Sequence, residues 1–245
     1  MEQHYLIPDW PAPAHIKSFT TTRLKGKSQA PFDAFNLSHT VGDDFNAVQQ
    51  NRECLAEELQ LPHQPNWLEQ VHGTRAILCG AQETYPKADA YYTNQPKQVC
   101  AVLTADCLPI LVCDQQGQEV AAIHAGWKGI LAGIIDSTIN SLKSKPKNLL
   151  VWFGPAIGPK HFEVDDEFRL AFMAKDPQNS TNFRQISTTK WLADIYGLAR
   201  NNLAKCGISQ IYGGDLCTVE DRQRFYSYRR DNKTGRMASL IWIDT

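Results

Sequence analysis

The stretch TADCLPILVCDQQGQEVAAIHAGWKG, residues 104–129, decides how this chain is read, because it sets a cysteine and a histidine at the ends of two short apolar runs. Residues 109–113 form one run and 120–124 the other, with the turn-rich DQQGQ between them. Two such runs around a polar turn predict a buried antiparallel hairpin. Asp106 and Cys107 lead into its first strand and His124 closes its second, so pairing brings thiol and imidazole to the same end of the sheet. Thiolate and neutral imidazole are good ligands for zinc or copper, and a catalytic zinc usually has three protein ligands and one open position. His72, in the segment EQVHG, is the best third ligand: it ends another strand-like run, and Gly73 after it permits a tight turn.

Outward from the hairpin, residues 99–104 are β-rich, 67–72 read as a strand and 75–79 as its continuation or partner, giving four closely spaced strands between 67 and 124. Upstream, residues 16–23 alternate as a strand that ends at Arg23 and runs into the polar loop KGKSQAP. Phe45, Val48, Leu55 and Leu59 follow a helical period, with Asp43 or Asp44 placed to cap that helix. Downstream of Trp127 the period changes: Ile130, Leu131, Ile134, Ile135, Thr138, Ile139 and Leu142 predict one long amphipathic helix. Its first amides would lie beside the proposed metal site and favour an anion such as phosphate. Residues 149–153 read as a strand entering the Gly-Pro loop 154–159, 166–175 and 191–205 as helices, and 208–212 and 237–243 as closing strands.

Composition narrows the function classes. The 245 residues are 42% apolar and carry a formal net charge of −1, with no basic tract longer than a pair. That predicts one domain over 1–245 with a sizeable core, and it points to small-molecule ligands rather than nucleic acid. The opening MEQHYLIPDWPAPAH has neither a basic leader nor an apolar stretch of signal-peptide length, and no window approaches a membrane span, so a cytoplasmic protein is expected. Seven cysteines without a CxxC pair argue against a disulfide framework.

The segments QVHG, TADCLP, HAGWKG, GPAIGP and SYRRDNKTGR occur in that order, and together they resemble the YfiH-like laccase-domain family across nearly the whole chain. Members of that family are known both as polyphenol oxidases and as zinc-dependent purine nucleoside phosphorylases. The resemblance implies an α+β fold, a mixed α/β domain in which two packed mixed β-sheets are flanked by helices in α/β/β/α layers. It also implies His72, Cys107 and His124 as metal ligands, and it places Asn36 and Asp43 beside the substrate. Asp89 matches the family's alanine-aspartate-alanine element, as a ligand-orienting group or a turn cap. Two departures stand out: Lys128 where the family often has arginine, and Lys160 where it often has cysteine.

The chemistry so implied is phosphorolysis of adenosine, inosine, guanosine and methylthioadenosine, with deamination of adenosine as a second activity. Zinc on two imidazoles and a thiolate keeps an open position and lowers the pKa of its water, which suits the deamination. The H-x-E and P-C-x-x-C signature of ordinary zinc deaminases is missing, so Asp43 or Asp106 is the expected general acid or base. Phosphate is assigned to Arg23 or Arg229, the latter because Phe225, Tyr226 and Tyr228 around it suggest a pocket-facing guanidinium. Three other readings remain open: copper-dependent phenol oxidation, metal-free hydrolysis with Cys107 as nucleophile, and a structural metal closed by a fourth ligand such as Cys217 in a domain that binds a partner protein.

Overall fold

The computed structural model describes residues 4–80 and 85–245; the first three residues of the opening segment lie outside them. In chain order the first half runs β1 (Tyr5–Leu6), β2 (Ile16–Thr21), α1 (Phe45–Glu58), β3 (Ala76–Leu78), β4 (Ala90–Thr93), β5 (Cys100–Thr104), β6 (Leu108–Asp114) and β7 (Val120–Ala125). The second half continues with α2 (Trp127–Ala132), α3 (Ile134–Ser141), β8 (Leu149–Phe153), β9 (Glu163–Asp165), α4 (Asp166–Lys175), β10 (Phe183–Gln185), β11 (Lys190–Ala193), α5 (Ile195–Lys205), β12 (Ile211–Gly213), α6 (Tyr228–Asp231) and β13 (Met237–Ile243).

The expected hairpin is β6–β7, antiparallel, with Pro109 opposite His124 and Leu108 opposite Ala125. Its turn is closed by Asp114, whose carboxylate accepts from the amides of Gln116, Gln118 and Glu119. Pro109 has no N–H to give, and near the strand start its carbonyl accepts from Gly154 N at 3.0 Å. Every residue of both strands is buried, because the hairpin lies in the middle of a six-stranded mixed sheet ordered β12-β8-β6-β7-β4-β3.

One face of this sheet, through Ile110, Val112, Ala121, Ile123 and Val151, packs on Ile130, Ile134, Ile135 and Ile139 of α2 and α3 and on Leu198, Ala199 and Leu203 of α5. The opposite face, through Leu111, Cys113, Val120, Ala122 and Trp152, meets Cys100, Val102, Ile241 and Ile243 of a four-stranded sheet ordered β1-β2-β13-β5. The outer side of that second sheet, with Ala101, Leu240 and Trp242, is covered by Leu55 of α1 together with Phe35, Leu37 and Trp67. The layers are therefore α/β/β/α. The four-stranded sheet is antiparallel throughout, where a mixed one was expected. A third, three-stranded antiparallel sheet, β10-β11-β9, was not legible in the sequence.

Three elements differ from expectation. Residues 67–72 form no strand beyond an isolated bridge from Glu69 to Lys87. There the Gln70 side chain does the pairing, donating to Leu103 O and accepting from Leu103 N, both at 2.7 Å. The long helix after Trp127 is two helices, broken at Gly133 with φ at 107°. The helix expected over 191–205 begins only at Ile195, capped by the Asp194 carboxylate, and the residues before it pair as β11. At α1 the cap is Asp44, whose side chain accepts from Ala47 N. No helix among the described residues is long and apolar enough to cross a membrane.

Candidate active site and metal centre

The hairpin register carries Cys107 and His124 to one end of the six-stranded sheet, where the turn before β3 brings His72 to meet them. The ligand atoms of the three lie within 4.8 Å of one another. The two imidazoles stand edge to face, with centroids 4.7 Å apart at 72°. Close approach is possible because Gly126, the N-cap of α2, has no side chain: a Cβ there would sit 2.6 Å from His72 Nδ1 and 3.2 Å from Cys107 Sγ.

Asp89, fully buried just before β4, organises the cluster. Its Oδ1 accepts from His72 N at 3.0 Å and pairs with His124 Nδ1 at 2.8 Å, and its Oδ2 accepts from Gly73 N at 2.7 Å. Three successive amides, Val71 to Gly73, thus converge on one carboxylate, which holds His72 at a φ of 57° that a non-glycine residue seldom adopts. With His124 Nδ1 committed to Asp89, Nε2 is the nitrogen left for the thiol and a metal. Burial opposes charge on both imidazoles. For His124, Cys107 and Asp89 outweigh it and push the pKa up to about 9. His72 goes the other way, lowered by burial and then by His124. Asp89 is lowered despite its burial by His124 and the backbone amides. Two nitrogens and a sulfur, one imidazole oriented by a buried carboxylate, fit zinc or copper.

A cavity of about 750 Å³ opens over the trio. Three cations line it: Lys128, Arg229 and Arg236. Trp127, Phe162 and Tyr228 supply aromatic surface, and Ser38 and Thr40 supply hydroxyls. The Arg229 guanidinium is held by His161 O at 3.0 Å and Glu163 O at 3.2 Å, over the Phe162 ring. Arg236 is half-buried beside Cys107 and Asp106, its Nη1 on the carbonyls of Thr234 and Gly235; its Nε and Nη2 make no hydrogen bond among the described residues. The Lys128 ammonium likewise makes no hydrogen bond among the described residues, and its Nζ lies 5.5 Å from the centre of the Trp127 ring.

The structure brings only some of the expected site residues to this cavity. Asp106 lines it, but both carboxylate oxygens are engaged, Oδ1 by Thr218 Oγ1 at 2.5 Å and Oδ2 by Arg229 N at 2.6 Å. Its carbonyl also accepts from Ile157 N, so Asp106 pins the Gly-Pro loop and the start of α6 to the strand end beside Cys107. Arg23 is not among the lining residues: it pairs with Asp33 at 3.0 Å and lies over Tyr226. Asp43 is also absent from the lining, its carboxylate accepting from Asn36 Nδ2 and Asp44 N. Asn36 is fully buried behind the wall, where its Oδ1 accepts from the amides of Ser38 and Arg236. Cys217 stands apart from the trio, with His161 and Glu220. Arg236 carries no periodic or spacing signal of its own in the sequence; only the SYRRDNKTGR segment contains it.

Fold and site together define a layered α+β domain with a thiol–imidazole cluster able to hold a metal ion beneath a cationic cleft. The family model described as multi-copper polyphenol oxidoreductase laccase matches residues 17–244, and the chain belongs to this YfiH-like laccase-domain family. It is 49% identical over 239 residues to the purine nucleoside phosphorylase YfiH of Escherichia coli strain K12, covering 97% of this chain and 98% of that one. A purine nucleoside phosphorylase of Haemophilus influenzae is 46% identical over 239 residues, again covering 97% and 98%. Among solved structures, a Neisseria meningitidis protein superposes with a TM-score of 0.95 at 44% identity over 99% of this chain and 100% of that one. YlmD of Geobacillus stearothermophilus gives 0.91 at 30% identity, covering 100% and 98%.

Proposed function

We propose that this chain is a zinc-dependent purine nucleoside phosphorylase acting on adenosine, inosine, guanosine and methylthioadenosine, with adenosine deamination as a second activity. The observation that carries the reading is the placement of Lys128, Arg229 and Arg236 around one cavity whose floor is the His72–Cys107–His124 trio. The names of the relatives at 46–49% identity point the same way.

In phosphorolysis an oxygen of phosphate bonds to C1′ as the C1′–N9 bond breaks, and the electron pair leaves with the purine. Charge builds as a cationic sugar and an anionic base, so fixed donors on both are the main catalytic resource. Arg229 and Arg236 each have a guanidinium fixed by carbonyls, a preorganised pair for phosphate oxygens, and Lys128 adds a third charge. The faces of Trp127, Phe162 and Tyr228 suit a purine ring. Asn36 acts from behind the wall, fixing the backbone of Arg236 and Ser38, and Asp106 acts by holding Arg229 N and Thr218. Arg23 supports the same wall through its carbonyl, which accepts from Ala34 N and Phe35 N. His72, Cys107 and His124 would hold zinc, which when bound supplies a Lewis acid at the cavity floor.

The test is metal content with turnover of adenosine and inosine, with and without phosphate, on the purified chain and on Cys107→Ala. Free base and ribose 1-phosphate should form only with phosphate and intact Cys107, and ammonia should be released from adenosine without phosphate. Nucleosides left untouched while copper-loaded protein oxidises phenols with oxygen uptake would overturn the reading in favour of the oxidase.

A further inference from the structure

Outside the cavity, a second group of metal-binding side chains stands on the loops that build its wall. His161, Cys217 and Glu220 bring their ligand atoms within 4.8 Å of one another. His161 closes the Gly-Pro loop, its amide donating to Gly158 O. Cys217 and Glu220 lie on the segment after β12, tied to that loop by a parallel bridge from Ala156 to Cys217 and by Thr218 N donating to Ala156 O.

We infer that His161, Cys217 and Glu220 form a second, zinc-type divalent cation site that fastens these two loops together. Three observations carry it. First, His161 Nε2 and Glu220 Oε1 are 3.1 Å apart. With zinc–nitrogen and zinc–oxygen bonds of about 2.0–2.2 Å, two ligands on a tetrahedral ion stand roughly 3.3 Å apart, so the pair is already spaced as one edge of a zinc tetrahedron. Second, Cys217 Sγ accepts a hydrogen bond from Gly158 N at 3.2 Å, which fixes the sulfur against the Gly-Pro loop on the side where His161 stands. Gly158 leaves the sulfur its place, since a Cβ there would lie 2.9 Å from it. Third, the side chains of His161 and Glu220 are 35% and 49% exposed, so the ion has access from solvent and a fourth position for water.

Lys160 approaches Glu220 at 3.8 Å, but its side chain is 80% exposed, and such a solvent-screened pair gives way to a divalent ion at little cost. Imidazole, thiolate and carboxylate together favour zinc over calcium or magnesium, which prefer all-oxygen shells. The site bears on the cavity through two neighbours: His161 O holds the Arg229 guanidinium, and Thr218, next to Cys217, holds Asp106.

The inference stands apart from the trio at the cavity floor, and the experiment separates the two. Full-length protein, stripped with chelator, is titrated with Co2+ as a probe, following thiolate-to-cobalt absorption and bound equivalents, and then with Zn2+, following Tm. Wild type should take two equivalents, Cys107→Ser and Cys217→Ser one each, and the double variant none with a thiolate band. In Cys107→Ser, zinc should still raise Tm, and Glu220→Gln added to that background should weaken cobalt binding at least tenfold. Circular dichroism confirms that each variant folds; because Glu220 is exposed, Glu220→Gln keeps the test alive if Cys217→Ser does not. A Cys107→Ser protein that shows no thiolate–cobalt band, or one whose affinity is unmoved by Glu220→Gln, overturns the second site.

Discussion

Asp89 shows how much of the trio depends on a residue that would not touch a metal. Its two oxygens receive three backbone amides and the His124 ring, so Asp89→Asn replaces an acceptor by an amide donor facing other donors. The expected outcome is about 10–100-fold weaker zinc binding in equilibrium dialysis; unchanged affinity would show that His124 is oriented by packing alone. Protonation gives a second prediction. In metal-free protein the His124 pKa rises from 6.5 to about 9, so the stability this contributes is fully present below about pH 6.5 and is lost as pH climbs through about 9. Zinc needs the neutral ring, so its affinity runs the other way. The Tm of chelated protein should therefore fall between pH 6.5 and 9 while the increment given by zinc grows, and a flat chelated Tm across that window contradicts the assignment. At this scale the sequence was legible where a residue bounded an apolar run, as Cys107 does at the start of one and His124 at the end of the other. It was silent about Arg236 and only suggestive about Asp89, because the groups that give each its place in the site, Cys107 and Asp106 beside Arg236 and residues 71–73 and His124 around Asp89, come from other segments of the chain.

Elements were legible where one period governed one element. The hairpin obeys that condition, with its runs bounded by DQQGQ and its register fixed by Asp114. It fails after Trp127, where Ile130, Ile134, Ile135 and Ile139 keep a helical period across a break, because α2 and α3 both turn their apolar residues toward the same sheet. Gly133 makes the break at φ 107°, and the space around it is open: a Cβ would meet only Asp136 Oδ2, at 3.7 Å. Backbone strain is then the whole cost of a side chain there. Gly133→Ala should lose about 1–2 kcal/mol in urea unfolding and Gly133→Asn less, since asparagine visits left-handed backbone more readily. Because α2 carries Lys128 into the cavity, the alanine variant should also raise KM for phosphate if the proposed function holds; an equal loss for both variants would point to packing instead. Residues 67–72 failed for a different reason. The run looked strand-like, but a glutamine side chain took over the backbone's pairing, and no pattern of apolar residues encodes that.

Across the whole molecule, the site depends on both large sheets being docked. Cys107 lies between β5 of one sheet and β6 of the other, His124 is on β7, and Arg236 immediately precedes β13, the strand that pairs with both β2 and β5. Neither sheet alone presents the trio and the cations together, so loss of the inter-sheet core should dissolve the site along with the fold. Ile241 tests this: it is fully buried on β13, packed with Leu111, Ala122 and Trp152 at the sheet–sheet interface, and it lines no part of the cavity. Ile241→Ala removes three carbons from that layer and should cost about 2–5 kcal/mol. If the sheets are one cooperative unit, zinc release and the tryptophan fluorescence change should share a single urea midpoint in wild type, and both should move together to lower urea in the variant. Zinc release that precedes the fluorescence change, with a midpoint that Ile241→Ala leaves in place, would mean that the loops around the trio open without the sheets parting. The site would then be a locally stabilised unit carried on the sandwich and not a product of its closure.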